Sequence, residues 1–164
     1  MKNYFDIFGL NIDFKIDKKQ LKTIFKEKIV EFHPDKFTNA NSSEKITSIQ
    51  NTALINTAFN TLNSNLLRAT YLLELQNINA FNEKDTQMNG EFLMQMIEMQ
   101  ESLAELKDEF EIDEFIDNID LKIKNNVVNL TNSFQSDDLL QAKNLVRELK
   151  FYEQTKSRAN DKIE

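Results

Sequence analysis

Apolar positions recur at helical spacing along almost the whole of this 164-residue chain, and the interruptions divide it into segments. Tyr4 to Leu10 reads as a short apolar turn of helix stopped by Gly9, which suits a C-terminal cap. Asn11 to Ile16 is a connector. From Asp17, a natural N-cap, the residues Leu21, Ile24, Phe25, Ile29 and Phe32 share one arc at about 100° per residue and predict a helix to about Phe32. Lys28 intrudes on that arc and has to reach back to water, and Val30 lies outside it. Lys36 to Asn41 is polar. Asn41 or Ser42 then caps a helix to about Leu62, with Glu44 completing a weak capping box; it carries Ile46, Ile49, Ala53, Ala58, Phe59 and Leu62. Two helices joined by so short a loop form an antiparallel hairpin. A further helix, Leu66 to Leu75, is apolar on most sides and is expected to be buried.

Gln76 to Gln87 loses the periodicity and is rich in Asn, Asp and Glu, which marks a linker between a domain at 1–75 and a second at 88–164. The second holds three longer helical patterns, roughly Asn89 to Glu109, Asp113 to Asn132 and Ser136 to Asn160. Their short connections predict an antiparallel three-helix bundle, so the fold class is all-α. On its first helix Phe92, Met96, Met99, Leu103, Leu106 and Phe110 make a core stripe. Leu93, Ile97 and Ala104 are left over on an adjoining arc, with Met94 beyond them. On the last helix Leu139, Ala142, Leu145, Val146, Leu149 and Tyr152 face the core, while Leu140 and Phe151 project from the other side. These surplus residues either form a partner site or pack against the first domain; the acids around them favour a partner, because an apolar patch needs a polar rim.

Composition narrows the chemistry. Two glycines and one proline are too few for a strand-and-turn architecture. Absence of cysteine excludes disulfides and thiolate catalysis, and a single histidine argues against a transition-metal site; a carboxylate-only Mg or Ca site stays open, but no EF-hand spacing is present, and no metal or cofactor is expected. No apolar run approaches the ~20 residues of a membrane span, and the N-terminus lacks a signal-peptide pattern. The expectation is a soluble intracellular protein. A net charge of -7 speaks against nucleic-acid binding. The charge is uneven: Asp17 to Glu31 holds five lysines and three acids, whereas Glu91 to Asp120 holds eleven acids and one lysine. Lys19, Lys22 and Lys26 share an arc beside the apolar one and form a basic stripe.

That stripe leads to His33-Pro34-Asp35-Lys36-Phe37, which contains the only histidine and the only proline. Pro34 has no amide hydrogen and disfavours helical angles at the residue before it, so the helix must end at about His33. An imidazole at a helix C-terminus is favoured as the cation, and Asp35 can offer both carboxylate oxygens to a guanidinium. A hydrolytic acid/base pair of His33 and Asp35 is the enzyme alternative. It fits poorly, since no nucleophile or phosphate-cradling glycine loop accompanies it.

The segments "YFDIFGL" at 4–10, "FHPDKF" at 32–37 and "INTAFNTL" at 55–62 resemble a J-domain, for which His-Pro-Asp is the signature. "LLRATYLL" at 66–73 and "EFLMQMIEMQESL" at 91–103 are similar to the HscB family, the J-type co-chaperones of iron-sulfur cluster assembly. The resemblance covers nearly the whole chain. It implies an N-terminal J-domain followed by a client-binding three-helix bundle. It also implies that His33, Pro34 and Asp35, with Lys19, Lys22 and Lys26, engage a DnaK-type chaperone, HscA, and stimulate its ATPase. Leu93, Met94, Ile97 and Phe151 would bind the cluster scaffold IscU. Lys28 departs from the family's usual apolar residue. The metal-binding cysteine pairs of some eukaryotic members are absent, which favours a bacterial, cytoplasmic protein. A J-protein with a different client is the alternative within the same class.

Overall fold

A computed structural model describes residues 2–82 and 89–163. Among the described residues the chain is helical, with no strand: α1 is Tyr4–Ile7, α2 Lys18–Phe32, α3 Ser42–Asn63, α4 Asn65–Leu75, α5 Gly90–Glu105, α6 Glu109–Gln135 and α7 Leu139–Asp161, and a 3-10 turn spans Pro34–Phe37. None of these helices is long and apolar enough to cross a membrane. The chain divides into two compact units, Met1–Leu72 and Leu73–Glu164. The expected linker at 76–87 lies outside the described residues from Glu83 onward. Its first part is ordered by Asn77, whose positive φ of 62° ends α4 and lets Ile78 N–H reach the Leu73 carbonyl at 2.9 Å.

Helix starts follow local chemistry. Asn3 and Asp6 make a reciprocal capping box on α1, Asp17 accepts from the amides of Lys19 and Gln20, and Asn41 accepts from Glu44 N–H. Gly9 (φ +62°) ends the first turn as expected. In the first unit α2 and α3 form the antiparallel hairpin, with the Phe25 and Phe59 rings stacked at 4.0 Å. The α3 pattern is re-sided: Ser48, Ile55, Ala58 and Leu62 are buried, whereas Ile46 and Ile49 stand in solvent. Apolar residues occur all round this helix, so periodicity alone did not choose a face.

Arg68, read only as part of a mostly apolar helix, is 3 % exposed. Its Nε donates to the Phe14 carbonyl (2.6 Å), Nη1 to the Leu62 carbonyl (2.7 Å) and Nη2 to Asn65 Oδ1 (2.9 Å). The guanidinium also lies 4.7 Å from the centre of the Phe14 ring. One side chain thus ties the α1–α2 connector to the end of α3, where the Leu62 carbonyl lacks a helical partner.

In the second unit α6 runs antiparallel to α7, joined by Asn126 Nδ2 donating to the Leu145 carbonyl (2.9 Å) and by the Lys156–Asp120 ion pair (2.6 Å). The first and third bundle helices run parallel, since Phe92 meets Phe151 and Lys162 Nζ reaches the Leu103 carbonyl at the far end. Two helix limits differ from expectation. Asp108 caps α6 by accepting from Glu111 N–H, and Glu111 in turn accepts from Lys107 N–H, so α6 begins at Glu109 and α5 ends at Glu105. Acids in the first turn suit the positive helix end. Phe110 therefore belongs to α6 and is exposed, not part of the α5 core stripe.

Candidate functional site

The first candidate surface is the turn after α2. His33 has extended backbone (φ -60°, ψ 133°), as the following proline requires, and Pro34 opens the 3-10 turn at its first position. His33 caps that turn: Asp35 N–H donates to His33 Nδ1 at 3.2 Å. A ring that accepts at Nδ1 carries its proton on Nε2, the edge on the far side from the turn. The 3.5 Å approach of Asp35 Oδ2 to the same Nδ1 becomes an ion pair only when the ring is protonated there. Both side chains are exposed, as are Lys19, Lys22 and Lys26 along α2. The lysine stripe and the turn thus share one continuous helix and its end.

The turn is held from behind by two residues with no signal in the hydrophobic pattern. Ending α2 at a proline leaves the Phe32 carbonyl without its helical partner. Ser48 Oγ donates to it at 2.7 Å, and Thr52 Oγ1, whose proton also addresses the Ser48 carbonyl, lies 3.0 Å away. A small hydroxyl four residues from another on α3 was the available clue. Replacing Ser48 by alanine together with Thr52 by valine is expected to cost about 1–3 kcal/mol by leaving that carbonyl unsatisfied. Chemical denaturation followed by hydrogen exchange on the first unit checks this, and Ser48→Ala with Thr52 retained should lose only part of it.

The second candidate surface is in the bundle. Leu93, Met94 and Ile97 are 43, 60 and 56 % exposed on α5. With Met96, Gln100, Glu101 and Phe151, Leu93 and Ile97 line a shallow apolar depression of ≈ 490 Å³. Phe151 requires a correction: it does not project from the bundle but is 8 % exposed. It packs edge-on against Phe92 (5.8 Å between centres) beside Ile119 and Tyr152. Its role is to floor the depression that Leu93 and Ile97 wall. Leu140, some eleven residues or about 16 Å earlier along α7, is exposed but lies beyond the start of α5 and does not join the patch.

Among the described residues, no group of three or more His, Cys, Asp or Glu is placed to hold a metal ion. The geometry offers two recognition surfaces of unlike character, one basic and polar, the other apolar with an acidic rim that includes Glu101.

Comparison with known proteins gives the chain a shared architecture. Residues 88–160 match the family model described as the HSCB C-terminal oligomerisation domain. The chain is 36 % identical over 153 residues to the co-chaperone protein HscB homolog of Aeromonas hydrophila, spanning 91 % of this chain and 89 % of that one. The homolog of Photobacterium profundum is 35 % identical, with 91 % and 90 % covered. Among solved structures, chaperone HscB from Vibrio cholerae superposes with a TM-score of 0.88 at 30 % identity, covering 99 % of this chain and 98 % of that one. Human co-chaperone protein HscB gives 0.95 at 28 % identity, covering 99 % of this chain and 83 % of the human one.

Proposed function

This chain belongs to the HscB family of co-chaperones, and on that premise we propose that it is the J-type adaptor of a bacterial, cytoplasmic iron-sulfur cluster assembly system. In this reading His33, Pro34 and Asp35, steered by Lys19, Lys22 and Lys26, engage the DnaK-type chaperone HscA and stimulate its ATPase. Leu93, Met94 and Ile97, over the floor made by Phe151, hold the scaffold IscU. The protein itself performs no chemistry; it couples client delivery to nucleotide hydrolysis on its partner. The N-terminal unit is the J-domain and the bundle is the client module.

The observation that carries the proposal is the pairing, in one chain, of a rigidly capped and exposed His-Pro-Asp turn with an exposed apolar patch that the bundle core does not consume. Such a patch on a small helical bundle marks a partner site, with Met and branched aliphatic side chains as anchors. Long-range attraction between the lysine stripe and an acidic partner raises the rate of encounter and should weaken with salt.

A pull-down and calorimetric titration with IscU test the client half. Leu93→Ala with Ile97→Ala is expected to weaken binding at least tenfold, about 1.4 kcal/mol or more, since two exposed anchors over a preformed floor are lost. Phe151→Ala is a poor probe, because it opens the Phe92 cluster and costs stability as well. Unchanged affinity of the double variant would remove the patch assignment. Stimulated ATPase with no IscU capture would leave a J-protein with a different client.

A further inference from the structure

The inward side of α6 carries an asparagine that the bundle only half satisfies. Asn126 is 4 % exposed, and its Nδ2 donates to the Leu145 carbonyl. Its Oδ1 is buried and has no hydrogen-bond partner among the described residues. A buried amide oxygen without a donor is destabilising, and native interiors seldom keep one.

Asn126 lines a cleft of ≈ 190 Å³ between α6 and α7. Lys122 stands one turn before it on α6, and Leu145, Glu148 and Tyr152 follow one another at helical spacing on α7. Tyr152 is 7 % exposed, yet its hydroxyl has no hydrogen-bond partner among the described residues. Glu148 is partly buried and makes no ion pair among those residues, and burial raises its carboxyl pKa. Burial, and the charge of Glu148 one turn away, raise the Tyr152 pKa as well.

Three oxygens therefore line one cleft without an assigned donor: an amide carbonyl, a carboxylate and a phenol. A hard divalent cation is poorly matched, since it takes six or more oxygens and draws several of them from carboxylates. A primary ammonium is well matched. It carries three N–H donors and no acceptor, the complement of these oxygens in number and in charge, and Leu145 offers its alkyl stem an apolar wall.

We infer that the α6–α7 cleft binds the primary ammonium group of a small aliphatic amine, with Asn126 Oδ1, the Glu148 carboxylate and the Tyr152 hydroxyl oxygen as acceptors. Lys122, exposed at the same cleft, competes for Glu148 and opposes a second cation. The cleft shares no lining residue with the apolar depression, so the inference is independent of the co-chaperone reading. The same group ends a free alkylamine and a lysine side chain, and the experiment separates these sources.

Calorimetric titration of the full chain with 1,4-diaminobutane at low salt is expected to show one site with a Kd of about 1 mM or tighter. Glu148→Gln keeps the shape but removes the charge, and should weaken binding at least tenfold. Tyr152→Phe keeps the ring against Phe92 and removes only the oxygen, so a severalfold loss is expected. Lys122→Ala should instead tighten binding, because the resident competitor is gone. The side-chain amide resonances of Asn126 should shift along the same isotherm. Circular dichroism checks that each variant is folded. Asp113→Asn, an exposed position elsewhere on α6, controls for general attraction to a chain of net charge -7 and should change nothing. Absence of saturable binding at about 10 mM diamine, unmoved Asn126 resonances, or equal weakening by Asp113→Asn and Glu148→Gln would each overturn the inference. Tighter binding of Nα-acetyllysine amide than of the diamine would also overturn it, by assigning the cleft to a partner's lysine.

Discussion

Replacing His33 by glutamine is expected to reduce stimulation of the partner chaperone's ATPase at least tenfold while leaving the protein folded. His33 does two things that glutamine cannot do together. Its Nδ1 accepts the Asp35 amide and so caps the 3-10 turn, fixing Asp35 relative to the ring. In the proposed role the far edge of the ring, Nε2, meets the partner. The longer, more flexible glutamine chain has to lose more rotamer freedom to hold either contact. A tenfold fall corresponds to about 1.4 kcal/mol of lost transition-state stabilisation on the chaperone, a modest demand for one positioned donor. Stability should change by less than about 1 kcal/mol, because the side chain is exposed and supports no core. Single-turnover hydrolysis by HscA, with and without IscU, reads the first effect, and a thermal melt the second. Full stimulation by the variant would mean that the turn acts through its backbone or through Asp35 alone.

The largest loss of stability should come from Arg68, and it should be confined to the first unit. Burial lowers the guanidinium's pKa to about 10, with Asp13 opposing the shift, so the group stays protonated at neutral pH. It is tolerated there because two carbonyls, an amide oxygen and the Phe14 ring surround it. Arg68→Ala removes the bonds that Arg68 supplies to the Phe14 and Leu62 carbonyls, opens a void, and is expected to cost about 3 kcal/mol. Arg68→Lys should recover only part of this, since one compact ammonium does not reproduce the guanidinium fork spanning both carbonyls. Hydrogen exchange resolved by unit is the appropriate measurement: protection should fall within Met1–Leu72 and persist on α6 and α7. Near-UV circular dichroism of the stacked Tyr4 and Tyr71, 4.5 Å apart, gives a second readout. Equal loss of protection in both units would show that Arg68 supports more than the segments it bonds.

A buried arginine held by backbone carbonyls is a tertiary solution to a backbone problem. The connector before α2 and the end of α3 each present a carbonyl that helix geometry does not satisfy. Ser48 and Thr52 solve the same problem for Phe32 at the end of α2. These residues are legible only once the helix ends are next to them, because a hydrogen bond to a carbonyl many positions away has no periodic signature. The bundle's surplus residues were more accessible. Leu93, Met94 and Ile97 stood apart from the α5 core arc in the sequence and stand apart in the structure, whereas Phe151 did not follow. A large ring on the side of its helix away from the core stripe is drawn inward when Phe92 of α5 supplies an edge to pack against.

Local chemistry in the sequence determined the all-helical class, the hairpin and its proline-forced turn, most helix caps, and the core stripes of α5 and α7. These follow from contacts within a few residues, where apolar spacing, a missing amide hydrogen or a capping side chain acts directly on the backbone. Tertiary structure alone decided which side of α3 is buried. It also decided that Phe151 floors the apolar depression while Leu93 and Ile97 wall it. Those outcomes depend on the shape and position of neighbouring helices, and a helix with apolar residues on several faces turns inward whichever face its neighbours can pack most closely.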